Sequence, residues 1–335
     1  MLSTTHYWSS IHVDKLGRAP VRQASAIKTW LNRSGLHRPL FISIGCPPME
    51  VKRAQKFLEI FASYTCRVKY LRFAGLAAYV NILLEKPFPV LETLDFYHMT
   101  KFVKDIHSTD SLAASWGGVS FHDTRASRDI HIPESVKRIL FPRLGLNQRP
   151  NGFISFMYLH ASWKNITRLE WVPANTFSDI SLIFRQCSSL KECLCCITWT
   201  PHLGDLPSAV IQHDRLESLI IHILDFIGVS HSLLNSLTLP QLTHIEIHRY
   251  LGSQFPHSVL HDFFERSRSS EKLASLKFYL DPISSLTDFD EDQFMGLVQA
   301  LNRLAEFVVV YRREGVEYDL VTQAMKDVID ARLLV

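Results

Sequence analysis

The chain has 335 residues, of which 47 % are hydrophobic and 21 % are charged. This balance excludes a disordered chain and provides enough apolar side chains for a large core. Its 36 basic and 33 acidic residues leave a formal net charge of +3, which is too small for the broad basic surface that gathers nucleic-acid phosphates. We therefore predict a folded protein with no nucleic-acid partner.

The N-terminal residues and the cysteines predict a protein of the cytoplasm or the nucleus. The first residues show no basic-then-apolar signal pattern, and no run of 18 apolar residues occurs in the chain. Three of the six cysteines, Cys193, Cys195 and Cys196, fall within four positions, which is typical of reduced thiols in a strand and not of a disulfide framework. We expect no membrane association.

The first 64 residues predict a helix, a strand and a second helix. Residues 21–33 place apolar side chains at helical spacing before Gly35, a residue type that commonly ends helices. Residues 40–44 alternate in hydrophobicity as a strand does. An apolar stripe over residues 49–64 predicts the second helix.

One six-residue phrase, apolar-x-x-apolar-x-apolar, recurs along the rest of the chain and defines its organisation. Successive starts lie 23, 45, 30, 24, 26, 26, 31 and 31 residues apart, and most of these steps accommodate one strand and a returning helix. The nine phrases begin at Val68, Leu91, Val136, Ile166, Leu190, Leu216, Leu242, Leu273 and Leu304. They predict an α/β solenoid with a largely parallel sheet and helices on its outer side.

Within each phrase the three apolar side chains are predicted to point inward, because residues alternate between the two faces of a strand. Helices are predicted between the strands, over residues 177–187, 208–213, 257–267, 291–301 and 318–333. The cluster of Arg266, Arg268 and Lys272 is interleaved with serine and glutamate, so we interpret it as a solvated helix end.

The step of 45 residues contains a segment without steady periodicity. Residues 101–134 are polar and irregular, which indicates a long insertion. The segment concentrates metal-ligand residue types at His107, Asp110, His122, Asp123, Asp129 and His131. A metal-dependent enzyme that uses this insertion is therefore one alternative hypothesis, which a metal analysis of the purified protein would test.

The strand phrases and the N-terminal residues together resemble a known family. LTHIEI after Pro240-Gln241 and ITRLEW after Trp163-Lys164-Asn165 resemble leucine-rich-repeat strands. His6 to Val13, then Ile27 to Gly35 and the strand from Pro39 to Ile44, resemble the segment in which the F-box ends and the substrate domain begins in fungal, basidiomycete-type F-box proteins with degenerate repeats. The resemblance extends over essentially the whole chain.

The resemblance implies an F-box-junction remnant and linking helix over residues 1–38, followed by a degenerate leucine-rich-repeat-like domain, an irregular horseshoe, over residues 39–335. It also implies substrate recognition for an SCF-type ubiquitin ligase. The F-box helices that bind the ligase adaptor would precede Trp8, so adaptor binding is expected only if an F-box is encoded upstream. A stand-alone scaffold and a decaying paralogue remain alternatives.

The repeat also departs from the usual pattern, because no asparagine ladder follows the strand phrases. In regular leucine-rich repeats an Asn or Cys side chain satisfies backbone groups in each turn. Buried backbone groups need hydrogen-bond partners. We therefore expect other groups to satisfy the turns of this chain.

The outward face of the sheet is the best candidate site in the sequence. Leu194 and Ile220 are predicted on adjacent strands as a small apolar strip with a charged rim, the composition of a protein-binding patch. The predicted partner-binding residues are Glu170, Leu194, Cys196, Ile220, His222, Glu246 and His248. The alternative is that a long loop covers them.

No catalytic or cofactor motif accompanies this surface. The sequence contains no G-x-S-x-G, P-loop or G-x-G-x-x-G pattern. His257 and His261 have the spacing of a helical metal pair but lack the glutamate of H-E-x-x-H. We predict that the cysteines pack in the core, with Cys196 as an exposed thiol, and that the protein is a noncatalytic partner-binding module with no cofactor or metal.

Overall fold

The computed structural model describes residues 9–13, 20–46, 51–100, 130–141, 159–174, 177–197, 210–223, 229–250, 257–280, 291–313 and 316–333. The chain folds as an α/β protein with mostly parallel strands. It divides into two compact units, Met1–Ile166 and Thr167–Val335. Most of the insertion predicted over residues 101–134 lies outside the described residues.

Unit 1 alternates strands and helices from its first described residues. Its helical elements are α1 (Pro20–Arg33), α2 (Val51–Leu58), a 3₁₀ segment (Glu59–Arg67), α3 (Ala77–Leu84) and a short 3₁₀ turn (Trp163–Asn165). Its strands are β1 (Ser10–Val13), β2 (Leu40–Gly45), β3 (Val68–Leu76), β4 (Thr93–Thr100), β5 (Ile130–His131), β6 (Arg138–Leu140) and β7 (Leu159–His160). β1, β2, β3, β4 and β6 pair in that order, all parallel, and β5 pairs with β7 separately.

Unit 2 repeats the alternation of strands and helices. Its helices are α4 (Phe177–Gln186), α5 (Val229–Ser236), α6 (His257–Ser267), α7 (Glu291–Ala300) and α8 (Gln323–Leu333). Its strands are β8 (Arg168–Ala174), β9 (Glu192–Ile197), β10 (Ile211–Gln212), β11 (Ser218–Ile223), β12 (Leu237–Thr238), β13 (His244–Tyr250), β14 (Ser275–Leu280), β15 (Glu306–Arg313) and β16 (Val316–Asp319).

The strand order in unit 2 follows the sequence. β8, β9, β11, β13, β14 and β15 are successive parallel neighbours, and β16 adds an antiparallel edge strand. β10 and β12 form a separate parallel pair. One hydrogen-bond pattern recurs at the start of these strands: the carbonyl of Thr167 accepts from the N–H groups of both Lys191 and Glu192. In the same way, two consecutive backbone N–H groups donate to each of the carbonyls of Lys191, Glu217, Thr243 and Ala274. From Thr167 onward, successive accepting residues are 24, 26, 26 and 31 residues apart.

These steps equal the spacing of the sequence phrase over the same stretch, so each phrase of unit 2 corresponds to one strand of the parallel sheet. The predicted inward direction of the apolar positions is also confirmed. Among the described side chains, every apolar phrase position is at most 7 % exposed. Burial of each such side chain stabilises the fold by roughly 1.5–3 kcal/mol, so the phrase identifies the rows of the core.

Several predicted helices need correction. The helix predicted over residues 208–213 is wrong, because Ile211–Gln212 is the short strand β10. The C-terminal helix begins at Gln323 and not at Tyr318, since Val316–Asp319 pairs with β15. Of the helix predicted over residues 49–64, the described part is α-helical over Val51–Leu58 and continues as a 3₁₀ segment over Glu59–Arg67. α6 has the predicted bounds.

Side chains at several turns compensate for the missing asparagine ladder by bonding to the preceding repeat. Arg67, just before β3, donates from Nε to the Arg38 carbonyl at 3.0 Å and from Nη2 to the Ser34 hydroxyl at 2.7 Å. His213, before β11, is buried, and its Nε2 lies 3.0 Å from the Cys187 carbonyl. Because Nδ1 of His213 accepts the Arg215 N–H, Nε2 carries the proton and donates.

Arg266, at the end of α6, bonds to two carbonyls of the preceding turn. Its guanidinium donates to the Leu234 carbonyl at 2.6 Å and to the Leu237 carbonyl at 3.1 Å. Lys272 donates to the Pro240 carbonyl at 3.0 Å. The interpretation of this basic cluster as a solvated helix end is therefore wrong for Arg266, which is partly buried and holds the preceding turn.

In the part of the chain that the structure describes, no helix is both long and apolar enough to cross a lipid bilayer.

Candidate functional site

The outward face of unit 2 consists of the side chains that alternate with the core positions on β8 to β15. Strand pairing arranges them in three rows that run across the strands. The first row contains Glu192, Ser218, His244, Ser275 and Glu306; the middle row contains Leu194, Ile220, Glu246, Lys277 and Val308; the third row contains Cys196, His222, His248, Tyr279 and Val310. The structure thus brings together on one surface the candidate residues that the sequence placed on β9, β11 and β13.

An apolar strip occupies one end of the middle row. Leu194 and Ile220 are direct cross-strand partners, and both side chains are half-buried. Glu246 is the next residue along the row. On the other side β8 contains a bulge, because Leu169 pairs with Cys193 and Val172 with Cys195, which leaves Glu170 beside Leu194. The strip therefore has a carboxylate at each end.

Arg168 binds two carboxylates at the β8 side of the strip. Its Nε contacts Glu170, and its Nη1 lies 2.7 Å from the Glu192 carboxylate. Glu170 is the more buried of the two carboxylates, with its side chain 19 % exposed against 48 % for Glu192. One guanidinium thus neutralises only part of the charge of its two neighbours.

Lys277 stands between two carboxylates on the other side of the strip. Its Nζ lies 2.6 Å from the Glu306 carboxylate, which also accepts the Ser275 hydroxyl at 2.8 Å. The contact with Lys277 lowers the pKa of Glu306 and raises that of Lys277. Glu246 is the cross-strand partner of Lys277, and the hydrogen bond that it accepts from His248 is the main cause of its lowered pKa. Both carboxylates are therefore ionised at neutral pH.

Three aromatic rings form a continuous stack along the third row. The His222 and His248 rings are 4.0 Å apart between centroids at an interplanar angle of 6°. The His248 and Tyr279 rings are 4.3 Å apart at 5°. Neighbouring strands lie about 4.8 Å apart, so residues in register on three adjacent strands can stack with little adjustment. The hydrogen bond between His248 Nε2 and Glu246 holds the central ring in place.

This geometry does not suit a shared metal ion. An ion bound to an imidazole lies in the ring plane about 2.0–2.1 Å from the nitrogen. The planes of His222 and His248 are nearly parallel and about 4 Å apart, so a single ion cannot lie in both. Over the described residues there is also no group of three or more His, Cys, Asp and Glu side chains arranged to hold a metal.

The hypothesis of a metal site in the insertion concerns mostly residues outside the described ranges. Of its six candidate ligands, His131 is described; its exposed ring stacks on that of His160 at 5.1 Å. Of the predicted helical histidine pair, His261 lies 3.7 Å from Glu265 on the exposed side of α6.

Cys196 needs correction among the predicted site residues. It lies in the third row as the partner of His222, but its side chain is only 1 % exposed. Burial raises the pKa of the Cys196 thiol above its ordinary value. The prediction of an exposed thiol at this position is therefore wrong, and Cys196 provides no accessible group to a partner. Cys66, in the 3₁₀ segment of unit 1, is the exposed cysteine.

Unit 1 carries an aromatic cluster that was not among the predicted site residues. Phe41 and Tyr97 are 43 % and 48 % exposed. The Arg72 guanidinium lies 3.6 Å from the centroid of the Tyr97 ring and 3.3 Å from the Asp95 carboxylate, which accepts the Tyr70 hydroxyl at 2.6 Å. The cluster depends on cross-strand register and on the bulge at Tyr97, neither of which the hydrophobic pattern specifies.

No known protein-family model matches the chain, and a search of curated proteins finds no match.

Proposed function

We propose that the chain is a noncatalytic protein-binding module of the leucine-rich-repeat type, which uses the outward face of unit 2 to hold a protein partner. The pairing of Leu194 and Ile220 as a half-buried apolar strip between charged side chains is the observation that supports this function. Interfaces commonly combine an apolar centre with a polar rim. The sequential parallel strands of unit 2 supply the repeat scaffold on which such a surface is built.

The test is affinity capture with quantitative mass spectrometry. Leu194→Asp and Ile220→Asp each place a strongly hydrated carboxylate in the strip, which removes apolar contact area from the centre of the surface. Val210→Asp is the matched control, because Val210 is 57 % exposed and precedes β10, outside the three rows. We expect a set of captured proteins that bind to the wild type and to Val210→Asp but not to either strip variant.

Circular dichroism and thermal melting must show that all three variants remain folded. If the folded strip variants retain the same proteins as the wild type, the outward face is not the binding surface.

We further propose that the bound protein is a substrate delivered to a cullin-based ubiquitin ligase. This step rests on the resemblance of the N-terminal residues and repeats to F-box proteins alone. The experiment compares adaptor binding by the present chain with binding by a longer chain that includes any F-box encoded upstream. Adaptor binding by the longer chain alone would support a ligase role, whereas its absence from both would favour a stand-alone scaffold.

A further inference from the structure

The rows around the apolar strip contain more carboxylates than cations. Among the described side chains of β8 to β15 on this face, the carboxylates are Glu170, Glu192, Glu246 and Glu306, and the cations are Arg168 and Lys277. With neutral histidines the four negative and two positive charges leave a net charge of −2. The whole chain carries +3, so this surface is locally opposite in sign to the rest of the protein.

The two central carboxylates also have a defined spacing. Glu170 and Glu246 lie at opposite ends of the strip formed by Leu194 and Ile220. Three inter-strand steps separate β8 from β13, which at about 4.8 Å per step places the two acidic positions roughly 14 Å apart. Both side chains are mostly shielded from water, with 19 % and 25 % of their surfaces exposed. Their charges are therefore less screened than those of fully exposed carboxylates.

The described rows are small enough to favour a peptide segment over a large globular surface. Six strands and three rows cover roughly 24 Å by 13 Å at ordinary strand spacings. That area of about 300 Å² is less than half of the approximately 800 Å² that each partner buries in a standard protein–protein interface. An extended segment places alternate side chains on one face at about 6.7 Å intervals, so residues i and i+4 are about 13 Å apart.

We propose that the outward face of unit 2 binds an extended peptide segment of the form basic-x-aliphatic-x-basic. The aliphatic side chain contacts Leu194 and Ile220, and the two lysine or arginine residues reach Glu170 and Glu246. This assignment rests on the proposed function, since it names the class of partner for the same surface. The acidic excess supplies the charge complementarity that selects such a segment and rejects acidic ones.

The first experiment selects peptides from a random twelve-residue display library on the full chain and, in parallel, on Ile220→Asn, a neutral substitution that removes the apolar contact and leaves the charge of the rows unchanged. We expect peptides that bind the wild type and fail on the variant, with Lys or Arg enriched two positions on each side of an aliphatic residue. Peptides that require Ile220 but show no basic enrichment would overturn this inference while leaving the protein-binding function intact. If no selected peptide depends on Ile220, the peptide inference fails, whereas the proposed function fails only if the folded strip variants retain the same captured proteins as the wild type.

The second experiment measures the affinity of the best basic peptide by fluorescence anisotropy. Glu170→Gln with Glu246→Gln preserves side-chain shape and brings the net charge of the rows from −2 to zero. Glu217→Gln with Glu271→Gln is the matched control. Both residues are exposed and lie outside the rows, and the two substitutions change the total charge of the protein by the same amount. We expect at least a tenfold loss of affinity at 50 mM salt for the first pair and less than twofold for the control. An equal effect of the two pairs would contradict local recognition by Glu170 and Glu246.

Discussion

The turn contacts of Arg266 lead to a quantitative prediction about the stability of unit 2. Arg266→Met keeps the aliphatic stem and the helical preference but removes the guanidinium from the Leu234 and Leu237 carbonyls. A hydrogen bond to a charged group contributes about 1.5–3 kcal/mol, and water can replace part of it at a partly exposed turn. We therefore expect the two contacts together to contribute about 2 kcal/mol to the free energy of unfolding.

Urea unfolding followed by circular dichroism measures this loss. For a unit of this size, about 2 kcal/mol corresponds to a fall in melting temperature of roughly 4–8 °C. Arg268→Gln is the control, since Arg268 is an exposed residue of the same basic cluster. The free energy of unfolding of this variant should differ from that of the wild type by no more than about 0.5 kcal/mol. A loss below about 0.5 kcal/mol for Arg266→Met, or equal losses for both variants, would refute the role of Arg266 in the turn.

Three further predictions concern other parts of the molecule. Gly75→Ala should destabilise unit 1 by about 2 kcal/mol or more in urea unfolding, because Gly75 has φ +154° and a Cβ atom would lie 2.6 Å from the Cys46 carbonyl; wild-type stability would contradict this. Since the pKa of Glu246 is lowered in the folded state, its ionised form is stabilising above the ordinary glutamate pKa and this contribution is lost as pH falls through the folded value. The stability gap between wild type and Glu246→Gln should therefore shrink from pH 6 to pH 3, and a constant gap would count against the contact with His248. Under native conditions a thiol reagent should modify Cys66 rapidly and the other five cysteines slowly, so Cys66→Ser should abolish the fast phase; a fast phase that persists in this variant would show that a second thiol is accessible.

The repeat was predictable because burial determines it. Each strand needs apolar side chains at alternate positions, and this requirement leaves the phrase visible even where the turn residues have diverged. α6 was predictable for a related reason, because Leu260, Phe263 and Phe264 are buried on one side while His261 and Glu265 are exposed on the other. A single amphipathic pattern was enough to set its bounds.

Other elements give weaker signals. α3 has the sequence AAYVNILL, which is apolar around most of its circumference and shows no stripe that marks a helix. β16 is a four-residue edge strand, and it is defined by its antiparallel pairing with β15. Neither element can be inferred from apolar spacing alone.

Strand alternation was enough to predict which residues of the candidate site lie on the outward face of the strands. Leu194 and Ile220 pair as the phrase alignment requires, and His222 and Glu246 occupy their predicted rows. The burial of Cys196 and the ring stack that ends at Tyr279 depend on packing around the strands. Arg168 was missed because its position between two carboxylates depends on the paired strand β9 and not on its own phrase.

The most direct test of the outward face as a binding surface is a methyl NMR titration of the isotopically labelled chain with a captured partner or a selected basic peptide. We predict that the methyl signals of Leu194 and Ile220 shift first, while those of Ile245, which is fully buried on the opposite face of β13, stay in place. Saturable binding that leaves Leu194 and Ile220 unchanged and shifts methyl groups elsewhere would contradict this prediction.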